Sequence, residues 1–415
     1  MSIDIDKTAN VWSNCVDDAA LFMAADNDRP LNHKTDHKDH LMYIEPFGVE
    51  IWMNEWETKC ALNLAETCVE SLTIKELLQI VGKNDTDLSD LLTMKMTYGA
   101  IEGSDRLRAA IAGTYDTQAR QNIIVTHGTI GANMLVHKTL VAAGDRVVAI
   151  VPTYQQHYSI PVSIGADVQQ LQLREQDGFL PNLDALRELV LPGTKLIALT
   201  NPNNPTGALI ERPMLEAIAE IARAAGAWVL CDEVYRGTDQ HGAGVTTSIA
   251  DIYERGISTA GMSKAYSLAG LRLGWIAAPQ EIIEAVSIHR DYDTISVGVI
   301  DDHFAALALE HRDKVLARSH TITRGNLSLL ENWVANETRI SWVKPRSGTT
   351  ALLKHDLPMS SEEFCVALLN ETGVMFTPGS AMNMEGYVRI GYANNPEILK
   401  KGLALVSGFL ARQSE

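Results

Sequence analysis

A lysine directly after an apolar run, in a loop of small residues, stands where a ligand can reach it. The segment AGMSKAYSLAGLRLGW (260–275) has that form, with Lys264 in the loop and Arg272 opening the next apolar run. An amine there could condense with an aldehyde as a Schiff base, and the guanidinium could clamp a phosphate in bidentate fashion. In CDEVYRG (231–237), Asp232 closes an apolar run, a costly place for a carboxylate unless a cation or donor meets it. A protonated aromatic ring nitrogen would serve, and the carboxylate would hold that proton on by raising the nitrogen's pKa. Tyr235, three residues on, could donate to a phenolic oxygen of the same ring. Plain readings stand beside these: a surface lysine in a loop, and a strand-end aspartate capping a helix.

Three further segments follow the same logic. TNPNNPTG (200–207) makes a rigid turn that fixes the Asn204 amide. In VTHGTIGAN (125–133), Gly128 opens a helix after a strand, so the Thr129 and Ile130 amides point out of a positive helix end, a natural phosphate cradle. PTYQQHY (152–158) sets Tyr154 after another strand, where its ring could stack on a flat ligand. A GxG fingerprint of the dinucleotide type is absent, which argues against a Rossmann dehydrogenase.

Elements of one kind must position all of these residues. VVAIV (147–151), KLIALT (195–200), WVLCD (228–232), ISTAGM (257–262) and LGWIAA (273–278) read as buried strands, short, apolar and bounded by turn residues. Helical stretches at 128–142 and 211–225 lie between them. That alternation predicts an α/β fold with a mostly parallel sheet covered on both faces, which binds ligands beyond the carboxyl ends of its strands. The last 120 or so residues read as a helix-rich stretch (280–335) followed by short strands in ISWVKP, TTALLK and YVRIGYA, a smaller α+β domain. The expected organisation is an N-terminal arm (1–45), a lid or small-domain segment (46–95), a large domain (96–285), connecting helices (286–335) and a small C-terminal domain (336–415).

Composition narrows the class. With 52 acidic against 35 basic residues and a net charge of −17 over 415 residues, the chain is a poor binder of polyanions, and nucleic acid is not expected as a partner. No window approaches ~18 uninterrupted apolar residues, so no membrane span is expected. The N-terminus lacks a secretory pattern. Five scattered cysteines (Cys15, Cys60, Cys68, Cys231, Cys365) fit neither a disulfide framework nor a zinc site and point to a reducing cytoplasm. HKTDHKDH (33–40) could place two imidazoles on one helix face for a metal, but it reads as a solvated arm, and no metal is expected.

Taken together, the motifs from about residue 60 to 395 resemble the fold-type-I pyridoxal-phosphate enzymes, specifically the class I/II aminotransferase superfamily. The resemblance implies that Lys264 holds pyridoxal 5′-phosphate as a Schiff base and that Asp232 pairs with its pyridine nitrogen. It implies Asn204 and Tyr235 on the ring's 3′-oxygen, Tyr154 stacked on the ring, and Arg272 with the Thr129 and Ile130 amides on the phosphate. Tyr98, in TYGAIEGSDRLR, matches a tyrosine that reaches the neighbouring subunit's phosphate, which implies a homodimer with shared active sites. Arg389, in YVRIGYA, matches the arginine that binds the substrate α-carboxylate as a fork-to-fork pair. Two departures stand out. Gly261 occupies a position that usually carries a phosphate-binding Ser or Thr, leaving one hydrogen bond worth roughly 1.5–3 kcal/mol to be lost or supplied by Ser263 or water. The lid reads NLAETCVESL (63–72), so Glu66 would face the substrate side chain.

The implied activity is an aminotransferase moving an amino group between an amino acid and a 2-keto acid, with Lys264, Asp232 and Tyr235 catalytic. The alternative is a pyridoxal-phosphate oxidase, cyclase or lyase of a cationic, arginine-like amino acid. RDYDTIS (290–296), PRSGTTALLK (345–354) and the THG turn are similar to the capreomycidine-synthase branch, and EWETKCALNLAE (55–66) to the lid of the superfamily's arginine oxidases. On charge alone, Glu57, Glu66, Asp291 and Asp293 could surround a guanidinium, though each also reads as an ordinary surface acid.

Overall fold

The computed structural model describes residues 43–413. The HKTDHKDH run, Cys15 and nearly all of the expected N-terminal arm lie outside the described residues.

Among the described residues, thirteen strands form three sheets. In chain order they are β1 (Leu62–Asn63), β2 (Ile123–His127), β3 (Arg146–Val151), β4 (Asp167–Gln172), β5 (Leu196–Thr200), β6 (Trp228–Asp232), β7 (Gly256–Gly261), β8 (Leu273–Ala277), β9 (Ile340–Trp342), β10 (Thr350–His355), β11 (Val374–Met375), β12 (Thr377–Pro378) and β13 (Tyr387–Gly391). The main sheet has the order β2-β8-β7-β6-β5-β3-β4. It is parallel from β4 to β7, and β8 runs antiparallel to both of its neighbours.

Why the strands read as unbroken apolar runs is visible in their two faces. Val147, Leu196, Leu230 and Ile257 pack under the helices Gly128–Leu140 and Gln280–Arg290. The next residues, Val148 and Ile197, and the flanking Val229 and Cys231 face the opposite side, against Leu215, Ile218 and Ala222 of the helix Arg212–Ala225. Alternate residues therefore serve opposite cores, and neither face is free to be polar. The Arg212–Ala225 helix has Pro213 in its first turn and stops at Gly226, which adopts φ +72, the left-handed cap that glycine supplies without strain.

The second sheet is antiparallel, in the order β12-β13-β10-β9. Ala351, Leu353, Val388 and Ile390 pack against Phe364 and Leu368 of the helix Ser361–Thr372 and Leu403, Val406 and Phe409 of the helix Pro396–Arg412. The strap leading out of β1 belongs to this core, since β1 pairs with β11 and Leu64 is fully buried there. Its next residues then turn toward the main sheet. No helix among the described residues is long and apolar enough to cross a membrane.

Candidate active site

The carboxyl ends of β2, β3, β5, β6 and β7 share one edge of the main sheet. Because β8 is antiparallel, its amino end lies on that edge too. The register pairs His127 with Leu273 and Gly261 with Gly274, which sets Arg272 beside the start of the Gly128–Leu140 helix. Above the edge lies a cavity of ≈ 350 Å³ lined by Lys264, Asp232, Tyr235, Asn204, Tyr154, Thr129, Ile130, Arg272, Ser263, Arg389 and Glu66. Eleven of the thirteen residues expected to act in catalysis or to bind cofactor or substrate thus meet in one place, and Glu57 joins them.

The other two lie elsewhere. Gly128 backs the cavity rather than lining it: a Cβ there would sit 3.0 Å from Arg272 Nη2, and its φ is +66. The positive φ favours glycine, and the close guanidinium would have to give way to a side chain. Tyr98 is 77% exposed and belongs to a separate surface hollow with Met96, His127 and Asp301. Nor do Asp291 and Asp293 join Glu57 and Glu66 in the cavity. They lie exposed in the turn after the helix Gln280–Arg290, and Asp293 lines another hollow with Ile44 and Met134.

Asp232 is held from several sides. Asn133 Nδ2 donates to its Oδ2 at 2.8 Å and the Val234 amide to its Oδ1 at 3.0 Å. Asn133 is itself fixed by Thr259 Oγ1, which donates to its Oδ1 at 2.6 Å. His157 Nε2 lies 3.6 Å from Asp232 Oδ2, and His137 Nε2 is 3.3 Å from His157 Nδ1. Burial, then His157, pushes His137 far below the ordinary histidine range, so it stays neutral. Asn133, on the face of its helix that meets the sheet, escaped the sequence reading because it is not at a strand end. Its polar character on an otherwise buried helix face was the available signal.

Lys264 Nζ donates to Thr67 Oγ1 at 2.5 Å and lies 3.5 Å from Cys68 Sγ. Burial opposes its charge, but Cys68, Tyr235 and the Glu66 carboxylate outweigh that and raise its pKa. Glu66 turns back on its own strap, its Oε1 accepting from the Thr67 and Cys68 amides at 2.7 and 2.8 Å. Burial would raise its pKa, yet the charge of Lys264 and these two donors bring the net shift down. The strap is tied on both sides. The Gly391 amide donates to the Leu64 carbonyl at 2.7 Å, and the Leu72 amide to the Ser267 carbonyl at 2.9 Å.

Arg389, on β13, is 3% exposed. Its Nη1 meets Asn204 Oδ1 at 3.3 Å and its Nη2 meets Thr377 Oγ1 at 3.2 Å, while its Nε has no partner among the described residues. Tyr154 donates to Glu50 Oε1 at 2.8 Å and packs against Phe47, ring centroids 4.8 Å apart. Burial, followed by the Glu50 charge, raises its pKa. Burial likewise raises that of Tyr235, against the opposing charges of Lys264 and Arg389. Glu50 lines the cavity with Met53 and Glu57 from the helix Gly48–Trp56 and its C-terminal residue. Glu50 was missed from sequence because its helix lies far from every strand-end motif.

These residues fit pyridoxal 5′-phosphate. An amine, a firmly held carboxylate, an arginine and the first amides of a thirteen-residue helix form the donor set for its aldehyde, ring nitrogen and phosphate. Thr129 Oγ1, buried and without a partner among the described residues, gives the phosphate side a free hydroxyl. It also accounts for Gly261: a Cβ at that position would lie 2.6 Å from Thr129 Oγ1. A hydroxyl on the helix thus stands where a strand-end side chain would reach, and Ser263 lines the same cavity.

Comparison with known proteins agrees. Residues 84–404 match the family "Aminotransferase class I and II". Capreomycidine synthase of Streptomyces vinaceus is 29% identical over 364 residues, 86% of this chain and 92% of that protein. The crystal structure of a PLP-dependent aminotransferase from Streptococcus suis superposes with TM-score 0.87 at 40% identity, over 90% of this chain and all (100%) of that one. The PLP-dependent cyclase OrfR superposes with TM-score 0.83 at 27% identity, over 90% of this chain and 99% of that one. The chain is a member of the class I and II aminotransferases, the fold-type-I enzymes that work with pyridoxal 5′-phosphate.

Proposed function

We propose that this enzyme exchanges the amino group of an α-amino acid with a 2-keto acid, using Lys264 as its covalent anchor and proton carrier. The observation that carries the reading is the convergence of Lys264, Asp232, Arg272 and Arg389 on one cavity. The bound cofactor supplies an aldehyde to capture amines and a conjugated ring to accept the electron pair left at the substrate's Cα. Lys264 is the amine that would hold the aldehyde, and once released it is placed to take the Cα proton. Asp232, oriented by Asn133 and Val234, would keep the ring nitrogen protonated. Arg272, Thr129 and the helix amides would hold the phosphate; Tyr154 would pack on the ring, with Asn204 and Tyr235 at its 3′-oxygen. Arg389 would pair with the substrate α-carboxylate, the buried fork meeting a planar partner. Tyr98, exposed and away from its own cavity, fits a role toward a second copy's site in a homodimer.

The likeness to a cyclase supports a second reading, ring closure on the substrate without any acceptor. The two separate cleanly. Transfer needs a 2-keto acid and converts the cofactor to its amine form; closure needs neither, and oxygen uptake would mark an oxidase. Lys264→Ala should abolish turnover and the borohydride-trapped cofactor adduct at position 264. Full turnover by that variant would overturn the assignment.

A further inference from the structure

A threonine in a turn ordinarily spends its hydroxyl on nearby backbone. Thr67 does not. Glu66 Oε1 takes the amides of the turn, those of Thr67 and Cys68, at 2.7 and 2.8 Å. The Thr67 carbonyl accepts at 2.6 Å from the hydroxyl of Thr349, which is fully buried just ahead of β10. With its backbone fixed at both ends, Thr67 presents its side chain to the cavity.

There the hydroxyl stands between two groups of the chemistry. It accepts from Lys264 Nζ at 2.5 Å. It also bonds the Tyr235 phenol: burial raises the Tyr235 pKa, while the charges of Lys264 and Arg389 and a hydrogen bond from Thr67 lower it. A hydroxyl carries one donor and two acceptor sites. One arrangement serves both neighbours, an N–H received from Lys264 and an O–H given to Tyr235. The other groups near the amine are poorer acceptors. Cys68 Sγ, at 3.5 Å, is weak, and Glu66 Oε1 already faces the strap amides. The strap and the lysine's loop are also joined through the backbone, the Val69 amide reaching the Lys264 carbonyl at 3.4 Å.

We propose that Thr67 is the positioning residue for the Lys264 amine, accepting one of its N–H groups while donating to Tyr235, so that the released nitrogen stays at the cavity with its lone pair free. This rests on the reading above, in which Lys264 takes the substrate's Cα proton. In that step the Cα–H bond breaks, the proton joins the lone pair and the electron pair stays with the substrate and cofactor. The new ammonium keeps Thr67 as its acceptor, and Thr67 itself gains and loses no proton.

The test compares Thr67→Val, similar in shape but without the hydroxyl, with Thr67→Ser, which keeps it, in the full chain with melting temperatures checked. The first measurement needs no turnover: the rate at which each apoprotein captures pyridoxal 5′-phosphate at Lys264, followed by absorbance against pH and confirmed by borohydride trapping. Losing an acceptor for the ammonium lowers the amine's pKa, so the capture profile of Thr67→Val should move to lower pH while that of Thr67→Ser stays native. The second uses the cofactor-loaded protein and whichever amino acid converts the wild-type cofactor fastest. Thr67→Val should lose about tenfold or more in kcat with little change in KM, because the nitrogen is no longer held in line, and Thr67→Ser should restore most of it. Should Thr67→Val unfold, Thr67→Ala is read in the same way. A native capture profile or a native kcat without the hydroxyl would overturn the proposal, as would equal losses in the valine and serine variants, which would mark packing. If the wild-type chain itself gives no trapped adduct at Lys264, the parent reading falls instead.

Discussion

Gly261 and Thr129 are a matched pair. A Cβ at 261 would also meet the Leu273 carbonyl oxygen at 3.0 Å, so the strand end is closed to any side chain while Thr129 fills the space. Gly261→Ser is therefore expected to destabilise the protein by about 1–3 kcal/mol. Adding Thr129→Ala should recover only part of that, because the Leu273 backbone remains. Denaturant unfolding of the two variants checks the order, and serine tolerated without cost would contradict the packing. At this scale the sequence was informative where chemistry coincides with a strand end: Lys264, Asp232, Asn204, Tyr154 and Arg272 each follow or open an apolar run. It was silent on Asn133, Thr67 and Glu50, which reach the cavity from a helix face, a strap and a remote helix. Nothing local distinguishes such residues from ordinary polar ones, since only the tertiary packing gives them their role.

Among the elements, the strap between β1 and the Ser267 loop depends on the absence of a side chain on β13. A Cβ at Gly391 would lie 1.7 Å from the Glu66 carbonyl oxygen. Gly391→Ala should lift the strap, lower stability by about 1–3 kcal/mol and raise KM more than it lowers kcat, because Arg389 lies two residues away on the same strand. Steady-state kinetics beside an unfolding curve separate the two effects; an alanine variant with native KM would show that the strap adapts. The five main-sheet strands read from sequence all exist with ends shifted by a residue or less, because unbroken apolar runs are what a doubly covered sheet requires, whereas ISWVKP and YVRIGYA run two or three residues past β9 and β13. β4 was not legible. At the sheet's edge it is DVQQLQ, with only Leu171 buried, so the apolar signal that reveals interior strands is missing. The reversal of β8 was hidden as well, since strand direction is set by the connection and not by the strand's own residues.

For the whole molecule, the exposure of Tyr98, together with that of Leu92 and Met96 (88% and 73%), favours association through this surface. Sedimentation should give twice the chain mass, and Tyr98→Phe should loosen the cofactor without changing the melting temperature of the apoprotein. A stable monomer that retains cofactor would remove Tyr98 from the site. The strap carries a consequence for how such an enzyme cycles. It is bonded to the β13 sheet at Leu64 and to the lysine's loop at Ser267, it supplies the Thr67 hydroxyl to Lys264, and its Ala65 carbonyl lies 3.5 Å from Arg389 Nη2. On the proposed roles, a hinge between the two sheets would pull on both charged groups at once, coupling the grip on the incoming molecule to the release of the amine.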